Sequence, residues 1–380
     1  MYVGRTTLAK FLLEQLREQP DGELLAALVV DVAAGVRNVA TLAARPRLND
    51  PYGSLHALTA AGLGLRIAPF EGAQPLETAA NEAIPRHCES SGLVAGLASE
   101  LTPEPTVVHE VHRRGPYLLN FDALEGTANL DVDASIGTVF SVLPHDSHLP
   151  PSTADFLQPG IAQVAAGYAI YGPATMLVLS VGQGTHGFTL DREFNNFILT
   201  HPDLRIPNET RELAVDTSHE RFWESPVARY VGECKAGRAG ARGQDFTMRW
   251  FGSAVAEVHR ILMRGGVFVD PLPARDAPRP ARMWLAGEAH PLAMLVEQAG
   301  GLASTGRGPL LELVPGSLHE RAPVVLGSRD EVARIERYHH EHDRGADRPY
   351  RSPLFGERSL FRNESAGVCG RAGTCPQSTL

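Results

Sequence analysis

The chain has 380 residues, of which 43% are hydrophobic and 21% charged, with 37 glycines and 28 prolines. This is the composition of an ordinary globular protein, so it excludes a fibrous or largely disordered chain, and the length fits two domains. Asp and Glu number 44 against 35 Lys and Arg, and the net charge of −9 excludes nucleic acid as an expected partner because a polyphosphate is repelled.

The cysteines and the apolar segments predict a cytoplasmic protein without a membrane span. The four cysteines have no metal-ligand spacing and are too sparse for a disulfide framework: Cys88, Cys234, Cys369 and Cys375. The first residues lack the basic and apolar regions of a signal peptide. Residues 156–190 are uncharged and long enough to cross a membrane, but Gly172-Pro173 interrupts them and their apolar pieces are typical of strands.

Two amphipathic helices are predicted at the start of the chain. Thr6 or Thr7 can cap a first helix whose apolar residues begin at Leu8, and a second helix follows Pro20. Residues 45–75 are rich in Pro, Gly and Ala, so we predict a loop there.

Short β-branched and aromatic runs then predict neighbouring strands of a mixed or antiparallel sheet. Four runs carry this pattern: residues 117–121, 138–143, 166–171 and 175–181. The G-x-G-x-x-G sequence at residues 182–187 follows the last of them, where it resembles a dinucleotide-binding motif. Because residues 186–190 alternate like a further strand and open no helix, we interpret the motif as a hairpin turn.

A polar stretch at residues 201–208 is the predicted domain boundary. It divides the chain into residues 1–207, residues 208–343 and a tail of residues 344–380, which we expect to be poorly ordered. The second part is predicted to open with a helix and then to mix helices and strands. Its clearest elements are helices at residues 251–263 and 292–299 and strands at residues 267–269 and 323–326.

The sequence D-A-L-E-G-T-A-N at residues 122–129 is the strongest candidate for a functional site. Asp122 and Glu125 end a hydrophobic strand and precede Gly-Thr, so two carboxylates and exposed backbone N–H groups could hold a cation and a phosphate. Four further acids could complete such a site: Glu71, Glu77, Glu100 and Glu288. Each of these carboxylates could equally be a solvated surface group.

Other chemistries lack their motifs. The 15 histidines form no H-x-x-x-H or H-E-x-x-H pattern, which disfavours zinc, and we interpret H-H-E-H at residues 339–342 as the solvated end of a helix. The sequence contains no G-x-S-x-G nucleophile elbow. Metal chemistry with oxygen ligands is therefore the leading prediction.

Several separated segments resemble class I fructose-1,6-bisphosphatase, particularly its proteobacterial form. The resemblance covers nearly the whole chain, from Arg5 to about Phe355. F-D-A-L-E-G-T-A-N at residues 121–129 is similar to the family's F-D-P-L-D-G-S-S-N. The other segments that carry the resemblance are residues 135–140, 164–173, 248–250, 258–266 and 296–301.

The resemblance implies an α+β protein with the layered αβαβα fold of the sugar phosphatases, usually a homotetramer. Residues 1–207 would carry the metal-site acids, and residues 208–343 would bind the sugar phosphate. The implied reaction is Mg²⁺-dependent hydrolysis of the 1-phosphate of fructose 1,6-bisphosphate, in gluconeogenesis or a carbon-fixation cycle. Two or more Mg²⁺ ions per subunit are implied, with Mn²⁺ as the alternative ion.

The resemblance also implies roles for individual residues. Its metal ligands correspond to Glu71, Glu100, Asp122, the carbonyl of Leu124, Glu125 and Glu288. Its catalytic acids correspond to Glu77, Glu100 and Asp122, and Glu71 and Glu77 match a mobile loop. The N–H groups that hold the phosphate correspond to Gly126, Thr127 and Ala128. The sugar end corresponds to Asp216, His219, Arg249, Trp250, Asp270 and Arg282, with Arg249 reaching across a subunit interface.

The family pattern is broken at several of these positions. Glu125 replaces an Asp and places its carboxylate one methylene further out, Leu101 replaces a second Glu, and Ala128 lacks a hydroxyl. Asp216 replaces Asn and Asp270 replaces Tyr, so two potential anions lie where the family holds a second phosphate. Three hypotheses follow: a fructose-1,6-bisphosphatase with reduced activity, a phosphatase for another sugar phosphate, or a non-catalytic paralogue that binds sugar phosphate or an active subunit.

Overall fold

The computed structural model describes residues 2–44, 75–109, 114–146, 150–274 and 283–347. Eight α-helices lie in these ranges: α1 (Leu8–Gln15), α2 (Gly22–Ala43), α3 (Pro75–Ala83), α4 (Pro85–Cys88), α5 (Ser225–Ala236), α6 (Ala254–Arg264), α7 (His290–Gln298) and α8 (Arg329–Asp343). The strands of the same ranges are β1 (Val94–Ser99), β2 (Thr106–Val107), β3 (Tyr117–Glu125), β4 (Ile136–Pro144), β5 (Ala165–Tyr171), β6 (Thr175–Ser180), β7 (Thr185–Asp191), β8 (Asn196–Leu204), β9 (Glu212–Val215), β10 (Thr247–Met248), β11 (Val267–Asp270), β12 (Met283–Trp284), β13 (Leu302–Ser304), β14 (Arg321–Ala322) and β15 (Val324–Gly327). The predictions for Glu71, Arg282, Cys369, Cys375 and the tail beyond residue 347 lie outside the described residues.

The two predicted N-terminal helices are confirmed. α1 begins after Thr7, whose side chain accepts a hydrogen bond from the N–H of Lys10 at 3.4 Å. α2 buries Leu28 and Val32 completely in the first core. Among the described helices, α2 is the one long and apolar enough to cross a membrane, with a mean hydropathy of 1.6, and 56% of that apolar stretch is buried inside the protein.

An eight-stranded sheet forms the first β layer, in the order β2-β1-β3-β4-β5-β6-β7-β8. Its neighbours are antiparallel except for β1 and β3, which run parallel, so the predicted mixed sheet is confirmed. The G-x-G-x-x-G sequence is the predicted hairpin between β6 and β7. Gly182 and Gly184 there have φ values of +88° and +85°, which glycine adopts without strain.

A second sheet has the order β10-β9-β11-β15-β13. β9 runs parallel to β10 and β11, the other pairs of this sheet are antiparallel, and β12 and β14 form a separate antiparallel pair. The prediction that the second part opens with a helix is wrong, because β9 comes first. A buried strand of four residues is too short to show the alternation that identifies strands in a sequence.

Helices and sheets alternate in five layers. Helices α1 to α4 cover one face of the first sheet, where the rings of Phe11 and Phe188 lie 5.1 Å apart. α6 and α7 lie between the sheets, and one core there contains Val178 of the first sheet, Phe268 of the second and Leu295 of α7. α5 and α8 cover the outer face of the second sheet. The layered αβαβα fold implied by the sequence is therefore confirmed.

The predicted boundary at residue 207 falls in the connection between β8 and β9. On this connection Ile206 is buried in the middle core, and its N–H donates to the carbonyl of Ala299 at 2.9 Å. The division into residues 1–207 and 208–343 stays a prediction, and the two parts share this core.

A half-buried histidine of the middle layer predicts a stability that is sensitive to acid. The hydroxyl of Tyr168 on β5 lies 2.9 Å from Nδ1 of His259 on α6, and burial, with a smaller effect of His201, lowers the pKa of His259 to about 4. An unfolded histidine has a pKa of about 6.5, so the unfolded chain takes up the proton first as the pH falls. Through this residue we expect the free energy of unfolding to drop by about 2 kcal/mol between pH 7 and pH 5.

The measurement is urea denaturation of wild type and His259→Gln at both pH values. The drop in the free energy of unfolding should be smaller in the variant by that amount, because glutamine does not titrate. Parallel drops in the two proteins would contradict the prediction.

Candidate metal centre

Parallel pairing of β1 and β3 brings two of the predicted acids together. Ser99, the last residue of β1, lies opposite Phe121 on β3. The residues that follow them, Glu100 and Asp122, are therefore neighbours. Asp122 is buried, and its Oδ1 accepts the N–H of Leu124 at 2.9 Å.

Glu288 reaches the same place from the second part of the chain. It lies in a single π-helical turn, Leu285–Ala289, between β12 and α7. The N–H of Trp284 donates to Glu288 Oε2 at 2.5 Å, which fixes the carboxylate within the turn. The hydroxyl of Ser141 on β4 donates to the carbonyl of Ala286 at 3.4 Å and ties the turn to the first sheet.

Three carboxylates, two of them buried and that of Glu100 partly exposed, therefore converge. One oxygen each of Glu100, Asp122 and Glu288 lies within 4.8 Å of the other two, and we refer to these residues as the acid cluster. In the part of the chain that the structure describes, no other set of three Asp, Glu, His or Cys side chains comes this close, and this includes the histidines at residues 339–342.

Burial and mutual repulsion disfavour three free anions in the acid cluster. Burial, followed by the charge of Glu100, raises the pKa of Asp122 well above its usual value. The same two causes, with a further contribution from Asp122, raise the pKa of Glu288. Nη2 of Arg321 lies 2.8 Å from Oε1 of Glu100 and compensates one charge. The remaining charge requires bound protons or a cation.

The donor atoms of the acid cluster fit a hard divalent cation. They are carboxylate oxygens, which Mg²⁺ and Mn²⁺ prefer, whereas protein zinc sites are built mainly from sulfur and nitrogen. The negative charge exceeds what Arg321 balances, so a bound cation would remove a cost that the folded chain otherwise carries.

A tight loop after the acid cluster presents backbone N–H groups. Gly126 has a φ of +81°, and Thr127–Asn129 form one 3₁₀ turn. The N–H of Asn129 donates to the carbonyl of Gly126 at 2.9 Å, and the N–H groups of Thr127 and Ala128 precede this first internal bond of the turn. Their predicted role in holding a phosphate stays a prediction.

Glu125 directs its carboxylate to the start of α6. A bulge in β3 lies between Asp122 and Glu125 where the strand pairs with β4. Oε2 of Glu125 accepts the hydroxyl of Ser253 at 2.5 Å and the N–H of Val255 at 3.2 Å, and Oε1 accepts the N–H of Ala254 at 2.8 Å. Burial raises the pKa of Glu125, and these three donors oppose the shift. The described acid cluster does not include Glu125, whose role as a metal ligand stays a prediction.

The start of α6 is a functional element that the sequence analysis missed. The helix was predicted to begin at residue 251, whereas it begins at Ala254 with Ser253 as its N-cap. A serine directly before an apolar helical pattern is a standard signal for such a start. No sequence pattern indicates the contact between Ser253 and Glu125, because the two residues are 128 positions apart.

The other acids and Leu101 flank the cluster. Glu77 lies on α3, near enough to Asp122 that its charge contributes to the raised pKa of that carboxyl. Leu124 lies within the bulge and is almost completely buried. Leu101 follows Glu100 in a turn, and its N–H donates to the hydroxyl of Ser99 at 3.2 Å.

Two residues that the resemblance assigns to the sugar end lie where paired strands of the second sheet end. β9 and β11 run parallel with Val215 opposite Val269, Asp216 follows the end of β9, and Asp270 is the last residue of β11. Oδ2 of Asp216 lies 2.8 Å from Nδ1 of His219. Asp270 is buried, with an exposure of 4%.

Arg249 and Trp250 follow β10 at the edge of the second sheet. Nε of Arg249 lies 3.4 Å from Oε1 of Glu212, and its side chain is 42% exposed. The ring of Trp250 stacks on Phe268 with centroids 6.3 Å apart, and its other face contributes to a residue exposure of 40%. Both side chains are thus accessible to a ligand.

Comparison with known families covers both parts of the chain. The family model described as Fructose-1-6-bisphosphatase, N-terminal domain, matches residues 6–202. The model described as Fructose-1-6-bisphosphatase, C-terminal domain, matches residues 206–340.

Individual relatives match over almost their full length. A class 1 fructose-1,6-bisphosphatase of Hydrogenophilus thermoluteolus is 48% identical over 361 residues, which cover 94% of this chain and 98% of that protein. A protein of the same name from Methylacidiphilum infernorum (isolate V4) is 45% identical over 364 residues, which cover 96% of this chain and 100% of that protein. The crystal structure of Leishmania major fructose-1,6-bisphosphatase in holo form has a TM-score of 0.76 and 32% identity, and covers 88% of this chain and 99% of its own. The chain therefore belongs to the class 1 fructose-1,6-bisphosphatase family.

Proposed function

We propose that this phosphoric monoester hydrolase removes the 1-phosphate of fructose 1,6-bisphosphate, giving fructose 6-phosphate and inorganic phosphate, with Mg²⁺ bound at the acid cluster. The main support is that oxygens of Glu100, Asp122 and Glu288 lie within 4.8 Å of one another. The loop that presents backbone N–H groups follows Asp122 a few residues along the chain. Two or more Mg²⁺ ions per subunit suit this site, and Mn²⁺ is the alternative ion.

Each group near the acid cluster has a distinct task in this proposal. Glu100, Asp122 and Glu288 would hold Mg²⁺, which when bound supplies positive charge beside the phosphate and acts as a Lewis acid. The N–H groups of Thr127 and Ala128 donate to phosphate oxygens and orient the ester. The chain thereby places the phosphorus next to the carboxylates.

Glu77 is our candidate for the group that accepts a proton from the attacking water. It lies near Asp122, whereas Leu101 carries no proton acceptor. Arg321 donates to Glu100 and orients that carboxylate toward the cluster.

The test is the release of inorganic phosphate from fructose 1,6-bisphosphate by the purified protein, with and without Mg²⁺. We expect release to depend on the metal and to stop when EDTA is added, since without a cation the carboxylates repel the phosphate. Mn²⁺ is expected to replace Mg²⁺. Absence of metal-dependent release at high enzyme concentration would overturn the proposal.

Hydrolysis of another sugar phosphate is the second candidate, favoured by Asp216 and Asp270 at the ends of the paired strands β9 and β11. Carboxylates at the sugar end repel a second phosphate dianion unless cations compensate them. A panel of sugar monophosphates in the same assay separates the candidates. A higher kcat/KM for a monophosphate supports the second candidate, and a higher value for the bisphosphate supports the first.

We also propose a homotetramer in the cytoplasm. Trp250 and Phe251 are 40% and 45% exposed next to Arg249, and such an apolar surface is suited to a subunit contact. Cys88 and Cys234 are buried free thiols, as a reducing compartment favours. Light scattering of the purified protein gives the subunit number directly.

A further inference from the structure

We propose that Glu125 is a positioning residue that ties the bulged end of β3 to the first turn of α6. It thereby sets the placement of the Arg249–Trp250 segment relative to the acid cluster. Only the activity part of this inference rests on the proposed function. The tie itself follows from contacts that are independent of any reaction.

The carboxylate of Glu125 is almost fully occupied by α6. Its two oxygens accept three hydrogen bonds, from the hydroxyl of Ser253 and from the N–H groups of Ala254 and Val255, at 2.5 to 3.2 Å. A carboxylate has about four acceptor positions, so three of them are in use. The residue is 8% exposed, and its bonds are therefore shielded from water.

These bonds complete the hydrogen bonding of the helix start. The first four N–H groups of a helix lack partners within it, and Glu125 takes those of Ala254 and Val255. The N–H of Ala256 donates to the hydroxyl of Ser253 at 3.2 Å, and the first bond of the helix itself follows, from the N–H of Glu257 to the carbonyl of Ser253 at 3.1 Å. A negative charge at this end is also favoured by the helix dipole.

Two further contacts join the same loop to the same helix start. Nδ2 of Asn129 donates to the carbonyl of Phe251 at 2.8 Å. Gly126 packs so closely that a Cβ atom there would lie 2.9 Å from the Cβ of Ser253. The loop at residues 125–129 and the segment at residues 251–255 are therefore held as one unit.

A continuous set of bonds leads from this unit to Arg249. The N–H of Phe251 donates to Oε1 of Glu257 at 2.7 Å, and Oε2 of Glu257 lies 3.3 Å from Nε of Arg260. Nη1 of Arg260 lies 2.9 Å from Oε2 of Glu212, whose Oε1 pairs with Arg249. Displacement of the α6 start would therefore displace the exposed side chains of Arg249 and Trp250.

The length of the glutamate side chain suits this role. An aspartate at position 125 would be shorter by about 1.5 Å, and hydrogen bonds of 2.5 to 3.2 Å could not be kept without moving the strand or the helix. The positioning role and the predicted metal-ligand role therefore make opposite predictions for Glu125→Asp.

The experiment compares Glu125→Asp, Glu125→Gln, Ser253→Ala and the double variant Glu125→Gln/Ser253→Ala. The matched control is Thr7→Ala, which removes a helix N-cap far from the site. For each protein we measure KM and kcat for fructose 1,6-bisphosphate, the Mg²⁺ concentration that gives half-maximal rate, and the melting temperature without metal.

We expect Glu125→Asp and Ser253→Ala each to raise KM about tenfold, since displaced binding groups weaken ground-state and transition-state contacts alike. The Mg²⁺ requirement should stay within about twofold, because the acid cluster is untouched. Thr7→Ala should lower the melting temperature without changing KM. A tenfold rise in the Mg²⁺ requirement in Glu125→Gln, without one in Ser253→Ala, would show a metal ligand and overturn the proposal.

The melting temperatures test the contact between Glu125 and the start of α6 even if no substrate is hydrolysed. The shift of the double variant should be smaller than the sum of the two single shifts, because each single change already removes the bond between the two side chains. Fully additive shifts would overturn the proposal. Absence of phosphate release in the wild type would overturn the proposed function and leave this thermal comparison intact.

Discussion

Asp122→Asn is expected to lower metal-dependent phosphate release by about 10³-fold or more, equivalent to about 4 kcal/mol of activation free energy. Asp122 shares the acid cluster with Glu100, which follows the neighbouring strand β1, and with Glu288 on the π-helical turn. Asparagine keeps the size of the side chain but removes the charge, so the cluster loses affinity for the cation. The measurement is kcat/KM for fructose 1,6-bisphosphate over a range of Mg²⁺ concentrations.

The control for this prediction is Asp131→Asn, which removes an exposed carboxylate shortly after the loop at residues 125–129. Its kcat/KM should remain within about twofold of wild type, as for most exposed positions. An Asp122→Asn protein with near-normal, Mg²⁺-dependent activity would show that the acid cluster is not the catalytic metal site. The melting temperature of both variants should be recorded, so that unfolding is not mistaken for lost chemistry.

Gly287→Ala is expected to destabilise the protein by about 3 kcal/mol, a large effect for the addition of one methyl group. A Cβ atom at this position would lie 2.0 Å from Cε3 and Cζ3 of the Trp284 ring. That ring is fully buried, and its Nε1–H donates to the carbonyl of Leu318 at 2.5 Å, so it cannot easily move aside. The backbone must shift instead, and Glu288 is the next residue, so the Mg²⁺ requirement should rise as well.

Two comparisons isolate this steric cause by urea denaturation. Gly308→Ala is the matched control, because no atom lies within 4 Å of its added methyl group, and it should leave stability nearly unchanged. In a Trp284→Ala background the ring is absent, so Gly287→Ala should cost almost nothing further. A full cost in that background would contradict the steric explanation.

The parts of the fold that the sequence predicts are those fixed by local chemistry. Thr7 caps α1 as its hydroxyl and position predict, and the long apolar runs at residues 136–144 and 165–171 form neighbouring strands. β9 escaped prediction because a strand of four residues, three of them buried, is too short to show periodicity. The π-helical turn that holds Glu288 escaped it too, because its conformation is set by contacts with Trp284 and Ser141 rather than by its own sequence.

The candidate site shows the same division between local and long-range information. The resemblance named Glu100, Asp122 and Glu288 as acids that act together, yet their meeting depends on strand register and on the packing of a distant turn. For Glu125 the sequence predicts a carboxylate at the strand end. Its direction depends on a bulge and on a helix start far along the chain, which no local pattern records.

The proposed metal binding at the acid cluster depends on the completion of folding. Its members come from positions 100, 122 and 288, so a high-affinity site exists only after the two β layers have docked on the shared middle core. A ligand that binds only the native chain adds RT ln(1 + [L]/Kd) to its stability. A divalent cation bound there as proposed would therefore report correct assembly, since partly folded chains or isolated halves would gain nothing from it.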